Sequence, residues 1–307
     1  MSAATGSQYL LSLDADGHSV RAIVTELAAG IRMLERDGHA LVEHYGEDEI
    51  APQAAGIVLV PWPNRIAGGR WTYRGAEQQL DITEPKLGNA SHGLLRNTEY
   101  RLVEQEAHRS LQTASVFPQH GYPFHLETFV EHSLTADGMT VTHTIVNRGP
   151  SEAPVAVGAH PYLRVGDTPL DECTLTVRAE RRLVVDEAQI PTGSESVAGT
   201  DADLSAGRLV ADLDVNHAYA GLAEEDGRFV QTLAAPDGRA TELWADPDFG
   251  YVQVFTPRSF PPSSGGRRAV ALEPMTAPAD AFNSGEGLRW LAPGETWTLS
   301  WGIRGRA

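Results

Sequence analysis

The sequence predicts an all-β fold, a large antiparallel β-sandwich with little helix, formed by residues 1–307 as a single domain. Many short segments alternate apolar and polar residues with period two, and clusters of turn-forming residues separate them at close spacing. No stretch has the period of a long helix; the best helical candidate is a turn or two within residues 276–290. No internal repeat or low-complexity linker divides the chain.

The first strands are predicted at residues 8–13, 18–27 and 30–38. Asp14-Ala15-Asp16-Gly17 and Ala28-Ala29-Gly30 separate them, and both are composed of residues that favour turns. The chain therefore begins as an antiparallel meander.

A clearer hairpin is predicted from residues 125–134 and 139–147, which Thr135-Ala136-Asp137-Gly138 joins. In its second strand an apolar series alternates with threonines, so one face is expected in the core. His143 belongs to the apolar series and is interpreted as a core residue.

Two further elements complete the sheet prediction. Residues 228–236 and 239–247 flank Asp237-Gly238 as a hairpin, and residues 296–304 form a last strand. The loop at residues 261–266, rich in Pro, Ser and Gly, is expected to be a surface excursion.

The composition of the chain limits the kinds of molecule that it can bind. The formal charge of -17 argues against nucleic acid and anionic membranes, which require clustered Lys and Arg, and it favours a neutral or cationic ligand. Cys173 is the only cysteine, so an intramolecular disulfide and a multi-cysteine zinc site are excluded. The N-terminal residues do not have the pattern of a leader, and no apolar run has the length of a membrane span. A cytoplasmic location is expected.

The first chemical candidate is Glu273. It lies in an apolar strand beside the small Ala271 and directly before Pro274, which lacks an N–H and is expected to end the strand there. A carboxylate in that position would have a fixed direction.

Three rigid polar segments could join it. In residues 61–71, prolines on both sides of Trp62 stiffen the chain before Asn64 and Arg65, whose guanidinium could present its donors to a hydroxyl-rich ligand. In residues 89–97, His92 is followed by Gly93, which permits a sharp turn or a close approach to a ligand. In residues 158–166, Pro161 holds His160 extended beside Tyr162.

No helical zinc spacing, nucleophile elbow, phosphate loop or dinucleotide fingerprint occurs. The remaining set is a carboxylate, two histidines and an arginine. That set suits proton transfer on a neutral, hydroxyl-rich molecule.

Four motifs occur in one order along the chain: Asn64-Arg65, Asn89 to Leu94, His160-Pro161-Tyr162 and Leu272-Glu273-Pro274. In this order and spacing the chain resembles the aldose 1-epimerases, or mutarotases, of the galactose mutarotase-like fold. The resemblance extends over about residues 20 to 304. It implies a galactose mutarotase-like supersandwich.

By that resemblance Glu273 is the general base and His160 the general acid, while His92 and Arg65 bind the sugar. Asn64 and Tyr162 are further candidates for substrate binding. The family's usual aspartate aligns with Asn216, and Asp214 lies just upstream, so either residue could take that role.

The implied reaction opens the ring of a free aldose such as galactose or glucose, rotates the C1–C2 bond and closes the ring on the other face. Because each step is a proton transfer, no metal and no organic cofactor is expected, and a bell-shaped pH dependence is predicted. The partner is a small sugar, and the chain is expected to be a monomer or a homodimer. Trp62, Tyr162, Tyr219 and Phe282 could stack on the sugar, or could be core aromatics.

Three alternatives stay open. A hexose-6-phosphate 1-epimerase would need a phosphate pocket, for which Arg70, Arg74 and Arg96 are candidates. A carbohydrate-binding or sensing protein would need neither an acid nor a base. A lyase or hydrolase would need further catalytic groups and is ranked last.

Overall fold

A computed structural model of the protein describes residues 3–260 and 266–306. The first half of the described chain forms strands β1 (Gln8–Ala15), β2 (His18–Thr25), β3 (Ile31–Arg36), β4 (His39–Ala40), β5 (Val58–Leu59), β6 (Arg65–Ile66), β7 (Arg70–Tyr73), β8 (Ala76–Gln79), β9 (Ala90–Ser91), β10 (Arg101–Gln105), β11 (Arg109–Val116), β12 (Leu126–Thr135), β13 (Gly138–Asn147) and β14 (Ala153–Val155).

The second half forms β15 (Gly158–Ala159), β16 (Tyr162–Leu163), β17 (Thr174–Val177), β18 (Ala179–Val185), β19 (Pro191–Ser196), β20 (Leu204–Leu209), β21 (Asn216–Leu222), β22 (Glu224–Glu225), β23 (Arg228–Ala234), β24 (Ala240–Ala245), β25 (Tyr251–Phe255), β26 (Val270–Met275), β27 (Arg289–Leu291) and β28 (Thr296–Arg306). Among the described residues the α-helical structure is a single turn, α1 (Ala281–Ser284), within the predicted segment. Short 3-10 turns occur at Pro52–Ala54, Ala67–Gly69, Leu170–Glu172 and Val210–Asp212.

Two large antiparallel sheets form the sandwich. One has the order β10-β11-β12-β13-β28-β24-β23-β17-β20, with β22 beside β23. The other has the order β19-β18-β21-β25-β26-β15-β5, with β16 also paired to β26. Side chains of both sheets, among them Val141 and Val254, belong to one buried cluster. The predicted all-β sandwich is confirmed.

The predicted hairpins are confirmed with small shifts at their ends. Strands β12 and β13 pair in the register Leu134 to Met139, and in β13 the apolar series is buried while the threonines are half-buried. His143 is fully buried, and its Nε2 accepts a hydrogen bond of 2.9 Å from the indole of Trp301. The core interpretation of His143 is therefore correct.

Strands β23, β24 and β28 occur where they are predicted, and β1 to β3 form the N-terminal meander. Of the loop predicted at residues 261–266, residues 261–265 lie outside the described residues. No helix in the described ranges is long and apolar enough to cross a membrane.

One local prediction is wrong: Pro274 does not end its strand, because β26 continues to Met275. On one side Pro274 lies opposite Val252 of β25. On the other side β15 pairs with Met275 and β16 pairs with Ala271 and Val270, so neither strand pairs with Pro274. Because neither β15 nor β16 pairs with Pro274, a residue without an N–H is tolerated at this position of β26.

Gly93 fixes how the His92 segment enters the fold. Its φ of +75° is favourable only for glycine, and a Cβ built there would lie 2.2 Å from the carbonyl oxygen of Val60. The close approach anticipated at this glycine is therefore to the protein backbone. This contact holds the His92 segment against Val60, which precedes Asn64 in the chain.

We expect Gly93→Ala to lower the free energy of unfolding by at least about 2 kcal/mol, because it combines backbone strain with a collision against main chain. Gly88→Ala is the matched control, since Gly88 has a φ of +73° but no atom within 4 Å of a built Cβ. Urea denaturation of both variants measures the difference. Equal losses in the two variants would contradict the collision at Val60.

Candidate active site

A cavity of about 280 Å³ opens at the second sheet. Its lining includes the two predicted catalytic residues and the main predicted sugar-binding residues: Asn64, Arg65, His92, His160, Tyr162, Asn216 and Glu273. These residues come from five separate segments of the chain, and the fold brings all of them together.

Glu273 belongs to β26, whose six residues are all buried. Its neighbour across the ladder is Gln253 of β25. The Glu273 side chain is only 4% exposed, and its Oε2 has no hydrogen-bond partner in the described part of the chain. Burial raises the pKa of Glu273 to about 8, because removal from water disfavours the carboxylate.

His160 lies in the interruption between β15 and β16, directly across from Glu273. Its Nε2 is 3.3 Å from Oε1 of Glu273. The ring stacks on Tyr162, whose ring stacks on Phe260, with centroid separations of 5.1 and 4.4 Å. Burial lowers the pKa of His160 to about 4, because the imidazolium loses its hydration.

We refer to Glu273 and His160 as the acid–base pair. Because burial disfavours both the carboxylate and the imidazolium, the two groups share one proton, and burial favours its placement on Glu273 with His160 neutral. The resemblance implies the reverse arrangement, an ionised base and a protonated acid. Both arrangements contain the same number of protons, and a transfer between Oε1 and Nε2 interconverts them.

The motifs around Asn64 and His92 are joined by a short ladder. Strand β6 pairs with β9 so that Arg65 lies opposite Ser91. The N–H of His92 donates to the carbonyl of Asn64 at 2.7 Å. Asn64 and His92 both have positive φ values, of 56° and 63°, an uncommon conformation outside glycine. This strained local backbone places both side chains at the cavity.

His92 contacts His160 edge to face, with ring centroids 5.5 Å apart. Burial is the main cause of the strong lowering of the pKa of His92, and the neighbouring positive groups lower it further. The ring is therefore neutral at physiological pH. Its Nδ1 is buried and has no hydrogen-bond partner among the described residues.

Arg65 lines the cavity, and its guanidinium also contacts neighbouring side chains. Its Nε and Nη2 donate to the two carboxylate oxygens of Glu84 at 2.7 and 2.9 Å, and its Nη1 donates to Asn64 at 3.2 Å. The guanidinium fork is thus directed at Glu84, which fixes the arginine and compensates its charge. Glu84 itself was not identified from the sequence.

A chain of amides crosses the cavity wall. Asn64 donates to Gln253 at 3.2 Å, and Gln253 donates to Asn216 at 2.6 Å. Asp214 is exposed, forms an ion pair with Arg258 and does not line the cavity. Of the two residues left open by the sequence, Asn216 is therefore the one at the site.

Sequence reasoning missed Gln253, although it is the polar residue at the centre of the apolar strand Tyr251–Phe255. It also missed Phe255 as an aromatic lining residue. Of the four proposed stacking aromatics, only Tyr162 lines the cavity. The other three are buried elsewhere: Trp62 packs against Phe282 at 5.4 Å, and Tyr219 is fully buried. For these three the stacking role is wrong and the core interpretation is correct.

Of the three arginines considered for a phosphate pocket, only Arg96 lines the cavity. Arg70 is exposed and hydrogen-bonds to Gln79, while Arg74 is exposed over the ring of Tyr73. Alternation along β7 directs the side chain of Arg70 away from the core.

We expect Glu273→Gln to raise Tm by at least about 2 °C at pH of about 8 and to have little effect at pH of about 5. The pKa of Glu273 is higher in the folded than in the unfolded chain, so the wild type loses stability as the pH rises through this window. Glu84→Gln is the control with the opposite sign, since it removes the carboxylate that pairs with Arg65. Calorimetry at the two pH values measures both effects, and a Glu273→Gln variant less stable at pH of about 8 would contradict the burial argument.

Known proteins are similar to this chain over most of its length. Residues 10–304 match the family model for aldose 1-epimerase. The chain is 33% identical over 286 residues to the uncharacterized protein YihR of Escherichia coli (strain K12), covering 93% of this chain and 90% of that protein. It is 32% identical over 157 residues to galactose mutarotase of Rattus norvegicus, covering 48% and 44%.

A solved structure supports the fold. The GalM/aldose epimerase homologue from C. elegans superposes with a TM-score of 0.83 at 15% identity, covering 98% of this chain and 99% of that one. The family match over nearly the whole chain and the YihR similarity establish the family. This protein belongs to the aldose 1-epimerase family of isomerases.

Proposed function

We propose that the protein interconverts the α and β anomers of an aldopyranose, with Glu273 and His160 as the acid–base pair. The observation that supports this most strongly is the 3.3 Å contact between their side chains, both buried, at a cavity of sugar size. Galactose and glucose are the reference substrates. The proposed steps require neither a metal nor an organic cofactor.

The reaction begins when the proton of the pair passes from Glu273 to His160. Glu273 then removes the proton of the C1 hydroxyl as general base, and His160 donates its proton to the ring oxygen. The C1–O5 bond breaks, and the sugar becomes an open-chain aldehyde. Rotation about C1–C2 exposes the other face of the carbonyl, and the reverse proton transfers close the ring.

Burial sets the relative free energies of the two proton arrangements of the pair. After ring opening, Glu273 is protonated and His160 is neutral, which is the arrangement that the low-dielectric cavity favours. Because the pair begins the reaction in the same arrangement, burial favours neither the closed nor the open sugar overall. Contacts with the bound sugar therefore have to stabilise the ionised arrangement through which the reaction passes.

The other lining groups hold the sugar during the rotation. The amides of Asn64, Gln253 and Asn216 provide donors and acceptors for hydroxyls, and the buried Nδ1 of the neutral His92 has no partner within residues 3–260 and 266–306. Tyr162 and Phe255 supply apolar surface for the C–H face of a pyranose.

The direct test is anomer exchange on freshly dissolved α-D-glucose and α-D-galactose, followed by polarimetry or NMR saturation transfer. We expect the wild type to accelerate exchange above spontaneous mutarotation. Glu273→Gln and His160→Ala should each lose about 10²–10⁴-fold, the usual contribution of a positioned acid or base. Gly88→Ala is the control variant for the effects of expression and purification, because Gly88 does not line the cavity. Full activity in either pair variant would overturn the assignment, and sugar binding without exchange by the wild type would indicate a binding protein.

The pH dependence of kcat/KM should be a broad bell. Activity should fall below pH of about 4, where His160 gains a second proton and the pair lacks a base, and above pH of about 8, where Glu273 loses the only proton and the pair lacks an acid. Initial rates corrected for spontaneous exchange in each buffer measure this profile. An enzyme equally active at pH of about 6 and about 9.5 would contradict the one-proton pair.

A further inference from the structure

A stack of three rings extends from the acid–base pair into the protein. The ring of Tyr162 lies on His160 with centroids 5.1 Å apart, and the ring of Phe260 lies on Tyr162 with centroids 4.4 Å apart. In both contacts the ring planes differ by 26°. His160 and Tyr162 line the cavity, whereas Phe260 is buried and does not line it. Phe260 is therefore close to the acid–base pair but is not a group that a sugar in the cavity contacts.

The orientation of the His160 ring depends on this stack. A histidine that transfers protons through one ring nitrogen is usually oriented by a hydrogen bond of the other nitrogen. In His160 the other nitrogen is Nδ1, which is buried, and apart from its own main chain no residue of the described chain is its hydrogen-bond partner. Glu273 lies at Nε2, and His92 meets the ring edge to face. Stacking on Tyr162 therefore limits the rotation of the imidazole about its Cβ–Cγ bond.

Tyr162 is held by the segment that contains Phe260. Its hydroxyl donates to the carbonyl of Gln53 at 3.3 Å. The side-chain amide of Gln53 donates in turn to the carbonyl of Ser259 at 3.0 Å. Because Ser259 directly precedes Phe260, this segment holds Tyr162 by its ring and, through Gln53, by its hydroxyl.

A buried carboxylate anchors the same segment. The main chains of Phe260 and Arg267 exchange hydrogen bonds of 2.8 and 3.1 Å. Arg267 forms an ion pair with Glu43, whose side chain is only 1% exposed. Glu43 also lies 3.6 Å from Arg164, and its N–H donates to the carbonyl of Tyr162 at 2.8 Å. Glu43 thus connects the backbone of the tyrosine with the segment whose phenylalanine covers its ring.

We propose that Phe260 is a positioning residue: it holds Tyr162 against His160 so that the acid–base pair keeps its geometry. The inference rests on the proposed function and adds a residue to it that the sugar does not contact. Proton transfer requires a close and aligned donor and acceptor, so a small rotation of the imidazole lowers the rate without changing how the sugar binds. The ion pair of Arg267 with Glu43 supports this arrangement from a greater distance.

The first test is Phe260→Leu, which removes the planar ring and keeps an apolar side chain. We expect kcat for anomer exchange on glucose to fall by about 10- to 100-fold, with KM within about threefold, because the sugar contacts are kept and the proton transfer is misaligned. Phe249→Leu is the matched control, since Phe249 is fully buried and does not line the cavity. Thermal melts show that both variants are folded.

The second test leaves the three rings unchanged. Arg267→Met removes the ion pair with Glu43, which keeps Arg164 as a partner. We expect kcat to fall by about 3- to 10-fold, less than for the loss of the ring, because the anchor acts through the segment. Arg258→Met is the matched control, since Arg258 lies nearby in the sequence but pairs with the exposed Asp214.

A spectroscopic measurement separates positioning from a general loss of structure. In protein labelled with [13C]histidine, the Cε1–H signal of His160 is identified by its absence in His160→Ala, and its chemical shift reports the ring current of Tyr162. We expect this signal to shift or broaden in Phe260→Leu and to stay in place in Phe249→Leu.

The outcomes distinguish this inference from the proposed function. If Phe260→Leu retains the kcat of Phe249→Leu, or loses kcat with the His160 signal unchanged, the positioning role is overturned and the proposed mutarotation stands. A rise in KM at unchanged kcat would also overturn it, because the ring would then serve sugar binding. If the wild type does not accelerate exchange above spontaneous mutarotation, the proposed function fails and this inference fails with it.

Discussion

The site depends on one constraint: a carboxylate and an imidazole are buried against each other where a sheet is interrupted. Strand β26 is buried on both faces, and the two short strands beside it, β15 and β16, leave a gap that His160 and Pro161 fill. The gap accommodates Pro274 in the middle of a strand. It also brings Nε2 of His160 within 3.3 Å of Glu273.

Burying the acid–base pair lowers the stability of the fold and places an acid and a base in the cavity. Two titratable groups that lose their water prefer to be neutral, and each contributes less to stability than a residue of the same size without charge would. Around them the polar atoms are organised before any sugar arrives. Glu84 holds Arg65, the amides of Asn64, Gln253 and Asn216 hold one another, and ring stacking holds His160. A sugar therefore meets groups that are already oriented, which lowers the cost of reaching the transition state.

Period-two alternation and turn residues predicted the sandwich and the β12–β13 hairpin, because local pattern determines both. The members of the cavity could also be selected from the sequence, since rigid polar segments interrupt the strands there. The contacts between side chains of different segments could not be predicted. That Glu84 neutralises Arg65, or that Trp62 packs into the core instead of facing the sugar, depends on contacts between segments distant in sequence. The end assigned to β26 was wrong because a proline is tolerated within a strand where the neighbour on its N–H side does not pair with it, and β15 and β16 leave Pro274 unpaired on one side.

In the protein without a sugar, we expect the buried pair to hold a single proton, and burial favours its placement on Glu273. Difference infrared spectroscopy of the wild type against Glu273→Gln tests it most directly, because a protonated carboxylic acid and a carboxylate have separate C=O bands. We expect a carboxylic acid band from Glu273 at pH of about 6, and this band should disappear as the pH rises past about 8. A carboxylate band from Glu273 at pH of about 6 would contradict it.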